Sequence, residues 1–226
     1  MRHKAEINDL RSQIQHLLDE NATLQSQSRT TENNRNDNIV LLETAFFRDW
    51  NKKNPNKMNM RGGQSYYYPV GFFEIRFRIL NFNQNTIVAY HGTRISCIPS
   101  ILKNGFKLPS ELGLRSNFLL EQTFFGIQNY PNAIFVSPSI KYASLYGIQE
   151  NAPLDEYCII LLQVRVKPNS YTMHSNTTNY NVNDPHYNDD QIEWRIANPK
   201  DVFPYSVLVK TISANEMRQL YNKKNK

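Results

Sequence analysis

Cysteine is nearly absent: Cys97 and Cys158 are the two in 226 residues. Each lies in an apolar stretch, and together they make neither a disulfide framework nor a zinc pattern, so core packing is their expected role. Long apolar runs are missing as well. No stretch approaches the ~20 residues that span a bilayer, and no apolar run near the N-terminus reads as a secretory signal. The chain is therefore expected to be soluble and, most simply, intracellular, with no membrane partner. Histidines are few and scattered. His3 and His16 share one segment, His174 and His186 lie in a polar loop, and no pair has ligand spacing with a cysteine or carboxylate, so no metal is expected. The eight glycines form no phosphate-binding loop between strand and helix. There is no Gly-x-Ser-x-Gly elbow and no internal repeat.

What is present is a basic excess. The formal net charge is +6 and the pI about 9.2. Arg48, Lys52, Lys53, Lys57 and Arg61 crowd one segment, and Lys223, Lys224 and Lys226 crowd the end. Such charge keeps nucleic acid open as a partner, although lysines set among asparagines read more simply as a solvated linker and tail.

The chain divides into three parts. In residues 1–29, Ile7, Leu10, Ile14, Leu17, Asn21, Leu24 and Ser28 alternate at three and four residues. This is an a/d heptad seam with Ile, Ile, Asn and Ser at a and Leu at d, which favours a parallel two-stranded coiled coil. A homodimer through residues 7–28 is expected, with a lone amphipathic helix as the alternative. Residues 30–63 read as a polar linker, a short apolar bracing helix over Ile39–Trp50, and a basic loop ending at Gly62-Gly63.

Residues 64–226 form the main domain, in which strands and short helices mix. Phe73–Leu80 alternates apolar and charged residues as a half-buried strand does. Ile87–Tyr90 is a strand running into His91-Gly92. Ile95, Ile98, Ile101 and Leu102 then follow at helical spacing, closed by Gly105. Residues 106–132 are a long connection of the kind that shapes a binding rim. Ala133–Ser137 is a strand, Ser139 caps a helix over Ile140–Tyr146, and Tyr157–Val166 reads as the central strand. Residues 168–190 form a second long loop. Gln191–Ile196 and Phe203–Ile212 are strands, and Ser213–Tyr221 is a final helix.

The side chains left to carry chemistry sit at strand ends and on one helix: His91, Gly92, Phe135, Tyr142, Tyr146 and Glu193. Singly each has a plain structural reading. Tyr142 and Tyr146, one turn apart, can simply pack, and His91 can be a satisfied strand-end histidine.

Their order and local grammar resemble the ADP-ribosyltransferase superfamily, in its H-Y-E class of diphtheria-toxin-like and poly(ADP-ribose)-polymerase-like enzymes. Three blocks carry the resemblance: His91-Gly92-Thr93, Ala133-Ile-Phe-Val-Ser-Pro-Ser-Ile-Lys-Tyr-Ala-Ser-Leu-Tyr146, and Glu193-Trp-Arg-Ile196. It implies an α+β fold with a split antiparallel or mixed sheet. It also implies an NAD-dependent enzyme that transfers ADP-ribose, more simply one unit than a polymer, to a protein acceptor with release of nicotinamide. On this resemblance His91 would bond the adenine-side ribose, with Thr93 beside it. Gly92 would pair its backbone with the nicotinamide carboxamide. Tyr146 and Phe135 would flank the nicotinamide ring. Glu193 would bond the nicotinamide ribose.

Two positions depart from the pattern. Phe135 lacks a hydroxyl that many members have, and Ala143 stands where many have serine, with Ser144 next in line. Gln191, two residues before Glu193, resembles the acceptor-selecting Gln or Glu of the arginine-led, toxin-like branch, and positions i and i+2 of a strand share a face. A tRNA 2′-phosphotransferase-like activity, a non-catalytic reader of NAD or ADP-ribose, and a plain coiled-coil scaffold are the alternatives.

Overall fold

In a computed structural model, the described residues are 40–51, 53–79, 85–111, 132–151 and 156–221, together with Ser12 and His16. The heptad seam otherwise lies outside them, as does the connection over 112–131. The fold is α+β, its strand pairings are antiparallel, and it has three α-helices among the described residues.

The largest sheet has six strands. Its path runs β1 (Val40–Asp49), β4 (Phe73–Ile79), β11 (Val202–Ser213), β8 (Glu156–Val166), β5 (Ile87–Gly92), and β7 (Ile148–Asn151) also pairs with β8. β6 (Ile134–Val136), β10 (Glu193–Ile196) and β9 (Tyr171–His174) make a second sheet in the order β6-β10-β9. β2 (Met58–Arg61) and β3 (Gln64–Tyr67) form a hairpin. The helices are α1 (Ile98–Asn104), α2 (Ile140–Gly147) and α3 (Ala214–Leu220).

Two cores explain the composition of the strands. Even-numbered residues of β8, Ile160, Leu162, Val164 and Val166, face Trp194, Ile196, Ile134 and Val136 of the smaller sheet and Ile98 and Leu102 of α1. Odd-numbered Ile159 and Leu161 face the other way, with Val88, Tyr90, Leu208 and Ile212, under Ala143 of α2. A strand covered on both faces reads as one apolar run, as β8 does. Each such side chain contributes roughly 1.5–3 kcal/mol by burial.

Several elements differ from the sequence expectations. Val40–Asp49 is not a helix but an edge strand on β4. Met58–Arg61, expected as loop, is a strand, and Gly62-Gly63 close a two-residue hairpin with both φ positive, at 57° and 82°. Such a turn needs positive φ at both central positions. The folded unit therefore takes in strands upstream of residue 64. The middle of the sheet's path is β11, with β8 beside it. Glu74, expected on a solvent face of its strand, is 0% exposed and accepts a hydrogen bond from Trp50 Nε1 at 3.0 Å. Tyr171–His174, expected in a loop, is strand β9. The last helix has a full capping box, Ser213 with Glu216.

Candidate active site

The two sheets meet at one bridge. Tyr90 N donates to Ser137 O at 2.8 Å and Ser137 N to Tyr90 O at 2.9 Å. The end of β5 thus lies beside the end of β6, and the turn into α2 begins there. Ser137 Oγ donates to Ile192 O at 2.6 Å, which ties that turn to the approach of β10. Ser139 caps α2 by accepting from Tyr142 N, and its hydroxyl donates to Asp184.

His91 is half-buried, edge-on to Phe106 at 5.1 Å between ring centres. Its Nδ1 lies 2.8 Å from Phe135 O. A carbonyl oxygen only accepts, so Nδ1 carries the proton and the neutral ring presents Nε2 as an acceptor. Burial holds the imidazole pKa below its ordinary value, against the opposing pull of the bond to Phe135 O.

Gly92 is needed for packing. A Cβ there would sit 2.2 Å from Ala143 O and 2.8 Å from Gly147 N, so only glycine lets α2 lie on β5. Strand alternation sends the N–H and C=O of Gly92 to the same side as those of Tyr90, away from β8. Thr93 is buried, and its carbonyl accepts from Gln149 Nε2 at 3.4 Å. Gln149 Oε1 also takes Ile95 N at 3.1 Å, so this one side chain braces the turn out of β5.

Glu193 is 0% exposed, and both of its carboxylate oxygens accept hydrogen bonds. Tyr142 Oη and Thr177 Oγ1 each donate to its Oε2 at 2.6 Å, and Arg195 Nε donates to Oε1 at 2.8 Å. Tyr146 Oη stands 3.3 Å from Tyr142 Oη. The single hydroxyl proton of Tyr142 goes to Glu193, so Tyr146 donates to Tyr142, making a chain Tyr146–Tyr142–Glu193. Burial raises the pKa of both phenols, and the neighbouring Tyr146 and Glu193 raise that of Tyr142 further. Both stay protonated donors at ordinary pH. Thr177 is held in place by its neighbour: Asn176 N donates to Asp189 O at 2.7 Å and Asn176 Nδ2 to Asp189 Oδ1 at 2.9 Å.

Phe135 lies across from Arg195 in the β6–β10 register, with the guanidinium 5.5 Å from its ring centre. His91, Phe135, Tyr142, Tyr146 and Glu193 are thus joined by hydrogen bonds, strand register and ring contact. The other expected residues stand apart. Ala143 is buried in the core between β5 and α2. Ser144 donates to Ile140 O at 2.7 Å and lines a separate cleft of about 540 Å³, whose wall includes Tyr67, Leu145 and Lys210 but none of His91, Gly92, Tyr146 or Glu193. Gln191 is exposed and lies outside β10, in a turn where its N–H bonds Asn188 O at 3.2 Å. The strand begins only at Glu193, so the shared-face argument does not reach Gln191.

Two participants went unread in the sequence, Thr177 and Arg195; Tyr142 is among the sequence candidates, but without an assigned role. Arg195 had a readable signal, because it is two residues after Glu193 on one strand and so on the same face. Thr177 had none. No group of three histidine, cysteine or acidic side chains is placed to hold a metal ion among the described residues. Among those residues no helix is long and apolar enough to cross a membrane. No protein-family model matches the chain, and no curated protein matches it in sequence.

The arrangement has defined chemical capacities. It offers a fixed, buried carboxylate, an imidazole acceptor, a backbone edge, and aromatic rings beside them. It can orient a hydroxylated ligand and stabilise positive charge near the carboxylate.

Proposed function

We propose that the protein is an NAD-dependent ADP-ribosyltransferase of the H-Y-E class, transferring one ADP-ribose unit to a protein side chain and releasing nicotinamide. The proposal includes the finer fold reading, a split-sheet transferase domain preceded by a coiled coil that pairs two copies. The observation that carries it is the hydrogen-bonded approach of Tyr146 and Tyr142 to Glu193, next to the His91-Gly92 strand end. Three segments far apart in sequence meet there in the order the resemblance requires.

The residues suit NAD in identifiable ways. Nε2 of His91 is an acceptor for a ribose hydroxyl. The N–H and C=O of Gly92 form a donor–acceptor pair matched to a carboxamide. The ring of Tyr146 offers a face for a planar leaving group. Oε2 of Glu193 already takes two donors, whereas Oε1 takes Arg195 alone, so Oε1 keeps capacity for a ribose hydroxyl.

Cleavage of the bond to nicotinamide places positive charge on an oxocarbenium-like ribose, as in glycoside chemistry. The Glu193 carboxylate stabilises that charge, and Arg195, Tyr142 and Thr177 hold it in one orientation. An incoming acceptor side chain then forms the new bond to the ribose carbon and gives up its proton to Glu193.

Two observations favour a second reading, a non-catalytic reader of NAD or ADP-ribose. Glu193 has no exposed surface, and Phe135 has no hydroxyl. Incubation with labelled NAD and native lysate, followed by mass spectrometry, tests the proposal. ADP-ribose attached to acceptor side chains supports it; NAD binding with neither cleavage nor modification gives the case to the reader.

A further inference from the structure

The face of the large sheet that α2 and α3 cover is apolar beneath them, then changes character. Beyond Val88, Leu161 and Leu208 the same alternation places Glu74 and Arg76 on β4, Gln163 and Arg165 on β8, and Ser206 on β11. Ser206 is in register with Arg76 on one side and Gln163 on the other. The pairing of β11 with β8 shifts between Pro204 and Ser206, leaving Tyr205 as an extra residue. Bulges of this kind re-aim side chains and are common beside sites. Here the bulge sets the Tyr205 ring between two guanidinium groups, Arg165 at 4.1 Å and Arg76 at 5.1 Å.

Arg165 is 5% exposed, and after burial itself the nearby positive charge of Arg61 is the largest influence opposing its own charge. Geometry puts the hairpin on the same spot: Gly62, next to Arg61, lies against Thr86 and Ile87 at the start of β5, where Ile87 and Val88 pair with Val166 and Arg165 of β8. The carboxylate of Glu74 is already divided between Trp50 Nε1 and Arg76 Nη2, at 3.0 and 3.3 Å. Ser206 Oγ, 0% exposed, and Arg76 Nε have no hydrogen-bond partner among the described residues. Buried donors left idle beside crowded like charges are costly, and a bound ion or water is the usual explanation. Arg61 is half-buried and the Arg76 side chain is 27% exposed, so the cluster is reachable from solvent.

We propose that Arg61, Arg76 and Arg165, with the hydroxyl of Ser206, form a binding site for a phosphate group. Phosphate fits better than a carboxylate. It carries up to two charges and more than two acceptor oxygens, which planar guanidinium forks engage in pairs. No residue of this cluster belongs to the Glu193 network, so the site stands or falls independently of the transferase reading.

The test is calorimetric titration of the full chain with inorganic phosphate, and in parallel with phenyl phosphate, at ionic strength held constant with chloride. Saturable binding is expected, with a matching rise in melting temperature. Arg61→Gln, half-buried at the end of β2, should fold normally and bind about tenfold more weakly or worse, as the loss of one charge-assisted contact implies. Arg76→Gln should do the same, and Lys103→Gln, on α1, should bind as the parent does. Tighter binding of phenyl phosphate assigns a phosphate ester whose ring reaches the aromatic side chains; equal or weaker binding assigns free phosphate. No saturable binding of either compound, or unchanged binding in both Arg61→Gln and Arg76→Gln, overturns the proposal.

Discussion

Thr177 and Tyr142 place their hydroxyls at the same oxygen of Glu193, each at 2.6 Å. A hydrogen bond to a charged acceptor contributes about 1.5–3 kcal/mol. Thr177→Ala should therefore slow turnover by about tenfold or more while leaving NAD binding nearly intact, and Thr177→Ser should restore it. A kcat loss without change in KM is the signature, because the threonine orients the carboxylate rather than holding the substrate. His91 gives a pH prediction. Burial depresses its pKa in the fold below the ordinary 6.5, so the unfolded chain takes up the proton first as pH falls. Stability contributed by the neutral ring is full above about 6.5, is lost as pH drops below it, and levels off under the folded pKa. Denaturant melts from pH 8 to pH 5 should show this decline, and His91→Gln should flatten it. Turnover should fall only at lower pH, as the depressed pKa of the folded state is reached, because a protonated Nε2 no longer accepts from a hydroxyl. The order of the three motif blocks, with the resemblance they carry, nominates His91, Tyr146 and Glu193. Thr177 could not be nominated, because a threonine in a polar loop acquires its role only when Asn176 and Asp189 fix that loop against β10.

At the level of elements, the close approach of α2 to the sheet depends on two glycines. A Cβ on Gly92 would meet Ala143 O at 2.2 Å, and one on Gly147 would meet Ile160 O at 2.3 Å. Backbone cannot yield as a flexible side chain does, so Gly92→Ala should cost about 1–3 kcal/mol or more. It should also displace Tyr142 and Tyr146 from Glu193. A lower denaturant midpoint with lost turnover checks this; an unchanged midpoint refutes the packing. The strand that the sequence disguised is β1. Its run from Val40 to Phe47, apolar except at Glu43 and Thr44, has no clean period of two, and periodicity alone cannot separate a short apolar helix from an edge strand. Pairing with β4 decides between them. Glu74 was misplaced for a related reason: alternation separates the two faces of a strand but does not reveal that both are covered. Its buried bond to Trp50 Nε1 makes Trp50→Phe a direct check. The substitution should keep the ring packing yet lower stability by about 1–3 kcal/mol through the weakened hold on a buried carboxylate.

Over the whole molecule, the α+β character and most strand positions were legible, because core strands such as β8 and β11 announce themselves by composition. The way in which the two sheets join was not legible. The Tyr90–Ser137 bridge depends on a register between segments far apart in sequence, and no local pattern encodes it. The heptad seam over residues 7–28 carries the proposal of a parallel pair. Deleting residues 1–29 should halve the mass in solution by light scattering, and an unchanged mass removes the pairing. The central claim is that Glu193, held by Tyr142, Thr177 and Arg195, drives cleavage of NAD. Nicotinamide release from NAD by the intact chain, compared with Glu193→Gln, measures this most directly. The account predicts release by the parent protein and a loss of about a hundredfold or more in Glu193→Gln, with NAD still bound. Equal turnover in the two proteins, or no NAD bound by either, would contradict it.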